Sequence, residues 1–289
     1  RASRTSVSAL AALYRQGRYA ETLVREARLG ASLAAACARA VPPAAGEFRA
    51  VWNHSGLGLV PGTNGWAQTA RRLAEHGFHA VFPQAAWAGA VLYPGGRLPQ
   101  SEAGRAAGDP LGACCQAARE AGLAVHAWKI CWSLGPAPAA AVERLRAAGR
   151  LQVNAVGETL PWLCPSQREN VESELAVVAE IASRYPVQGI HLDYIRFADK
   201  QTCCCPVCRA GFERARGVRV ARWPEEALQG PLAASFRRWR AGQIARFVRL
   251  ARARLRAVRP DAALSAAVYG WYPGCIDSIG QDWGHWLKQ

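Results

Sequence analysis

The sequence predicts an α/β protein of the (β/α)8 TIM-barrel type, incomplete at its C-terminus, with about five βα units present. Three observations carry this. Short apolar runs alternate with helix-length segments, the pattern of βαβ units and a parallel sheet. Some of those runs, such as GIHLDYIRF at 189–197, are apolar almost throughout, as strands buried on both faces are. The long loops fall after strands rather than before them, on the side where a β/α barrel builds its active site. Closure needs eight strands, so the chain is expected to be a fragment or to complete its sheet another way.

The elements follow in order. Residues 1–46 are expected to form an N-terminal helical segment and linker: 5–40 is rich in Ala and Arg with helical spacing, and Pro42 and Pro43 end it. The barrel is expected over 47–289. FRAVWN (48–53) reads as the first strand. The segment 64–77 reads as a helix closing on Gly77, the residue type that best tolerates the left-handed C′ position. HAVFPQ (79–84) is a second strand, and a loop rich in Gly and Pro runs from about Trp87 to Gly108. Asp109 and Pro110 form an N-cap and N1 pair that opens a helix to Gly122. LAVHAWKI (123–130) is the third strand, followed by helices over 136–149 and 167–185. The fourth strand is 188–197. A loop with four cysteines is expected to about Gly230, then a long basic helix over 235–256, a last strand at 263–270 and a short helix at 280–288.

Composition narrows the function. With 289 residues, 51% of them hydrophobic, the chain can bury one large core. It contains no apolar run long enough for a transmembrane helix. No signal peptide is visible, the first residue is Arg and Met is absent, so the natural start is expected to be missing or removed. The net charge of +15 suits an anionic-polymer or nucleic-acid binder using Arg-rich helices. Codon bias explains it better: apart from Lys129, Lys200 and Lys288 the basic side chains are Arg, and Ala is abundant. No nucleic-acid partner is expected. No Walker loop, dinucleotide fingerprint or nucleophile elbow occurs, which removes those enzyme classes.

The chemistry gathers at strand ends. His191 and Asp193 share one side of their strand, because alternate residues point the same way. A carboxylate in so apolar a run costs free energy unless it is paired or used. Asp193 is therefore either a general acid kept protonated by its surroundings, or a structural carboxylate holding Arg196 or a loop. Trp52 and His54 end the first strand, Gln84 the second, and His126, Trp128 and Lys129 the third, with Trp132 just beyond. Trp87, Tyr93 and Trp162 lie in the following loops, and Tyr194, Arg196 and Tyr269 close later strands. Aromatic faces beside Asn, Gln, His and Lys suit a sugar, which offers C–H faces to stack and hydroxyls to bond. Cys203, Cys205 and Cys208 have chelating spacing. A structural zinc wants four ligands, so Cys164 or a remote His would have to join them. A disulfide or free thiols are the alternatives. No other cofactor is implied, and the oligomeric state cannot be read.

Taken together, several segments resemble the glycosyl hydrolase-like 10 family: RAVWNHSG (49–56), GW…RRLAEHGFHAVFPQ (65–84), AGLAVHAWKICW (121–132), the stretch ending LPWLCPSQREN (149–170), VQGIHLDYIRF (187–197), C-x-C-P-x-C-R-x-x-F (203–212) and LSAAVYG…SIGQDW (264–283). The resemblance spans about 47–289. It implies a β/α barrel that hydrolyses glycosidic bonds of a polysaccharide, including bacterial cell-wall glycan strands, and it favours a cell-envelope or secreted location. By resemblance, Asp193 matches the candidate catalytic acid, with His191 tuning it or touching substrate, and Gln84, Trp128 and Lys129 positioning sugar. Tyr194 stands where some relatives carry a second Asp. Glycoside hydrolysis normally uses two carboxylates. The next acids, Asp277 and Asp282, fall after the fifth strand and are not read as the nucleophile. A carbohydrate-binding protein on the same scaffold is the rival reading.

Overall fold

The computed structural model describes residues 2–40, 46–60 and 62–288. The expected helix stop at Pro42 and Pro43 lies outside the described residues. Before it, α1 (Ala2–Arg15) and α2 (Tyr19–Ala40) pack on one another.

Five parallel strands form one sheet: β1 (Ala50–Asn53), β2 (Ala80–Ala86), β3 (Ala124–Ile130), β6 (Gly189–Asp193) and β7 (Ala263–Ala266), in that order across the sheet. The registers pair Trp52 with Phe82, Gln84 with Trp128, Trp128 with His191 and His191 with Ser265. β1 and β7 are the outer strands of the sheet, so the barrel is not closed. A groove of about 650 Å³ runs along β7, lined by Leu264, Ala266, Leu255, Trp283 and Trp286. In a closed barrel the next strand and helix would pack here.

Helices cover the convex face. Several of these helices bury an apolar stripe because its residues recur at helical spacing. α3 (Trp66–Glu75) buries Trp66, Thr69, Ala70 and Leu73. In α5 (Pro110–Ala121) the Asp109 carboxylate accepts from Gly112 N at 3.0 Å, and Gly122 closes the helix in the left-handed conformation. α6 (Ala139–Ala147) follows β3, α7 (Arg168–Arg184) precedes β6, and α10 (Ala233–Val258) precedes β7 and packs on α7.

The loops hold more structure than the sequence predicts. α4 (Glu102–Ala107) is capped by Ser101, whose hydroxyl accepts from Gly104 N at 3.1 Å. Residues 151–163 form an antiparallel hairpin, β4 (Leu151–Val153) and β5 (Thr159–Leu163). Its turn is held by Asn154 Oδ1, which accepts from Val156 N at 3.1 Å and Glu158 N at 2.9 Å. The expected cysteine loop contains α8 (Pro206–Arg216) and α9 (Glu225–Leu228). At α8 the Cys205 sulfur takes the place of the usual oxygen cap, which hid the boundary from a search for Ser, Thr, Asp or Asn. At the C-terminus α11 (Gly274–Ile279) and α12 (Trp283–Trp286) replace the single helix expected at 280–288. The fourth predicted strand ends early, at Asp193, because Tyr194 takes a left-handed φ of 55° and turns the chain.

Candidate active site

Strand alternation sorts the side chains between two faces. On the concave face the sheet presents Trp52 from β1, Phe82 and Gln84 from β2, His126 and Trp128 from β3, His191 and Asp193 from β6, and Ser265 from β7. Among these described inward-facing residues Asp193 is the carboxylate.

They form two layers. The lower is aromatic. Phe82 stacks on His191 with centroids 4.7 Å apart and lies 5.1 Å from His126, and Trp52 lies 5.7 Å from His191. His191 Nδ1 is 2.9 Å from Ser265 Oγ, while its Nε2 is buried without a hydrogen-bond partner among the described residues. Burial, helped by neighbouring His126, holds the His191 pKa down to about 4, so the ring is neutral near pH 7. Gly189 leaves room for this layer: a Cβ there would overlap His126 Nδ1 and stand 2.8 Å from Ala263 O.

The upper layer lies at the C-terminal ends of the strands. Trp128 Nε1 donates to Asp193 Oδ2 at 3.1 Å, and Tyr194 N donates to Asp193 Oδ1 at 2.6 Å. His54 packs edge-on against Trp128 at 4.7 Å. The Gln84 amide, oriented to satisfy both its ends, donates to His54 O and accepts from Trp87 Nε1 at 3.2 Å. Beyond Asp193, Arg196 lies over Tyr194 at 4.7 Å, Trp162 at 4.9 Å and Tyr269 at 5.6 Å. Trp162 comes from β5, so the unpredicted hairpin supplies part of the rim. Tyr269 is 53% exposed and Trp52 48% exposed, leaving aromatic faces open to solvent.

Burial pushes the Asp193 carboxyl above the ordinary carboxylate range. The bonds from Tyr194 N and Trp128 Nε1 and the charges of Arg196 and His54 oppose this without cancelling it. A half-buried carboxyl with a raised pKa, at the mouth of a β/α sheet, is equipped to deliver a proton.

Three expected sugar contacts belong elsewhere. Lys129 points to the convex face, where Nζ meets Glu174 Oε2 at 2.8 Å with both side chains fully buried. Trp128 takes the inward position, and parity sends its neighbour outward. Trp132 is also fully buried, against Phe247 at 4.5 Å. Tyr93 is buried beside Tyr185. Sequence reading missed Phe82 and Ser265, although alternation from Gln84 and pairing with His191 point to them. It also missed Glu174, an acid set among the buried Val171, Leu175 and Val178 of α7. Asp277 pairs with Arg237 at 3.3 Å, and Asp282 caps α12 and accepts from Tyr272 OH at 2.9 Å. Neither joins Asp193 on the sheet.

Several arginines of the basic helix and its C-cap serve the fold. Arg240 is buried and donates to Asp199 O at 2.6 Å and Lys200 O at 3.2 Å. Arg254 pairs with Glu172 at 3.2 Å, and Arg259 donates to Ala182 O and Tyr185 O. Cys203, Cys205 and Cys208 converge with Cys164, all four buried. No helix is long and apolar enough to cross a membrane among the described residues.

This open β/α barrel, with an acid at the end of an inner strand and aromatic side chains around it, has the architecture of the barrel glycosidases. A solved structure of the PgaB (BpsB) glycoside hydrolase domain from Bordetella bronchiseptica aligns over 83% of this chain and 71% of its own, with a TM-score of 0.64 at 15% identity. Alpha-L-fucosidase isoenzyme 2 from Paenibacillus thiaminolyticus aligns over 77% of this chain and 32% of its own (TM-score 0.52, 16% identity). The β-galactosidase from Bacillus circulans sp. alkalophilus aligns over 83% and 38% (TM-score 0.52, 14% identity). This chain thus spans about a third of the length of those two enzymes. The chain belongs to the glycosyl hydrolase-like 10 family, whose model matches residues 47–289. No curated protein sequence matches it.

Proposed function

We propose that this protein is a glycoside hydrolase acting on a polysaccharide, with Asp193 as the general acid. The observation that carries the reading is the Asp193 carboxyl itself: half-buried, raised in pKa, held by Trp128 and Tyr194, and flanked by open aromatic faces. In this reading a sugar stacks on Trp52, Trp162 and Tyr269, with His54 and Gln84 near its hydroxyls. Asp193 gives its proton to the leaving glycosidic oxygen as its bond to the anomeric carbon breaks; water supplies the new C–O bond to that carbon and returns a proton, so one water is consumed. A bacterial cell-wall glycan is the finer proposal. It rests on the resemblance of the GIHLDYIRF and HAWK segments.

A second reading has its own observation. Glycoside hydrolysis normally takes two carboxylates, and the described concave face carries one. A carbohydrate-binding protein on a barrel scaffold would need none. One experiment separates the two: the intact protein is incubated with a panel of polysaccharides, including denuded peptidoglycan strands, and new reducing ends are counted alongside binding. New reducing ends support the hydrolase. Binding without cleavage across the panel favours the binding scaffold.

A further inference from the structure

Four sulfurs from distant parts of the sequence meet in the interior. Cys164 follows β5, Cys203 and Cys205 lie in the segment after β6, and Cys208 is in the first turn of α8. All four Sγ atoms lie within 4.8 Å of one another. Cys164 Sγ is 3.5 Å from Cys208 Sγ and 3.7 Å from Cys205 Sγ. A tetrahedral zinc with bonds of about 2.3 Å sets its sulfurs about 3.8 Å apart. A disulfide needs about 2.05 Å, so these sulfurs are not bonded in pairs. A polynuclear iron–sulfur cluster spreads its thiolates over several irons and needs a wider cage.

Two further features separate this from ordinary packing of buried thiols, which are common in cores. Backbone N–H groups point at the sulfurs: Val153 N lies 3.3 Å from Cys203 Sγ, and Cys208 N lies 3.5 Å from Cys205 Sγ. The buried guanidinium of Arg240 also donates to Asp199 O at 2.6 Å and Lys200 O at 3.2 Å, in the segment that leads into the cysteine run. Thiolates on a metal want such donors and such a cation, since a zinc with four thiolates carries two net negative charges. Cys204, in the same run, turns away and donates to Gln201 O at 3.3 Å.

We infer that Cys164, Cys203, Cys205 and Cys208 bind one structural zinc ion. The ion ties the β4–β5 hairpin to the segment after β6. Those are the elements that carry Trp162 on one side and Tyr194 and Arg196 on the other, so the metal sets the rim beside Asp193. It has four protein ligands and no open position, as structural rather than catalytic zinc sites do.

The test uses the full chain, expressed in zinc-supplemented medium and purified under reducing conditions. Elemental analysis is expected to give one zinc per chain, and X-ray absorption at the zinc edge four sulfur neighbours near 2.3 Å. Cys164→Ser and Cys208→Ser are expected to lose the zinc, and Cys204→Ser to keep it. If a serine variant fails to fold, the absorption spectrum of the unaltered protein decides alone. Protein without zinc, whose four thiols react or pair as disulfides, would overturn the inference. So would a coloured iron protein, or a zinc edge showing nitrogen or oxygen neighbours.

Discussion

Replacing Lys129 by Met tests directly which face of the sheet that residue serves. Its Nζ donates to Glu174 Oε2 at 2.8 Å and to Ile130 O at 3.2 Å, and neither Lys129 nor Glu174 has any exposed side-chain surface. Removing the ammonium leaves Glu174 Oε2 with the Trp132 N–H at 3.4 Å, while its Oε1 has no hydrogen-bond partner among the described residues. Breaking a buried pair on one side typically costs about 3–5 kcal/mol, because a charge is left uncompensated. Lys129→Met is therefore expected to lose about that much stability in urea unfolding followed by tryptophan fluorescence. Lys129→Met with Glu174→Leu removes both charges and should recover most of the loss, since apolar replacements of buried pairs are often neutral or better. Glycan binding by the folded fraction should be unchanged. Lys129→Met that keeps its stability to within about 1 kcal/mol yet loses glycan binding would refute this and return Lys129 to the cleft.

Three other outcomes follow from the same geometry. Trp128→Phe removes a donor that lowers the Asp193 pKa, so the pH above which hydrolysis fades, where the acid loses its proton, should move higher in a rate-against-pH profile. His191 falls from the ordinary 6.5 to about 4 on folding, so the unfolded chain binds the extra proton between those values. Stability should be fully present above about pH 6.5 and fall by about 3 kcal/mol as pH drops to 4, and His191→Gln should lack that part in unfolding curves taken across the range. Gly189→Ala crowds His126 and Ala263 O and should cost about 1–3 kcal/mol, measured by denaturant melts, with no change in cysteine metal content.

The alternation of strands and helices was legible because both rest on local rules: apolar period, Asp109–Pro110 at one helix start, Gly77 and Gly122 at helix ends. Asp193 stood out for the same kind of reason, as a carboxylate in an apolar run. In the sequence Trp162 is one of several loop aromatics, and nothing local says that it sits on a hairpin whose fold brings it to Arg196. Lys129 stands beside Trp128 in the sequence, but strand parity sends the two to opposite faces, so Lys129 leaves the cleft. Glu174 as its partner is a tertiary fact, hinted at only by an acid on the apolar stripe of α7. The convergence of Cys164 with the CCCPVC run spans about 40 residues and depends on where the hairpin lies, so spacing alone left zinc, disulfide and thiol readings open.

The most direct test of the central claim is the rate of glycan cleavage by Asp193→Asn against the unaltered protein, with folding of both checked by circular dichroism and melting. General acid catalysis contributes roughly 10²–10⁴-fold. The account predicts a loss of at least about 100-fold in the folded variant. Cleavage by Asp193→Asn at close to the original rate would contradict it and would make Asp193 a structural or sugar-holding carboxylate.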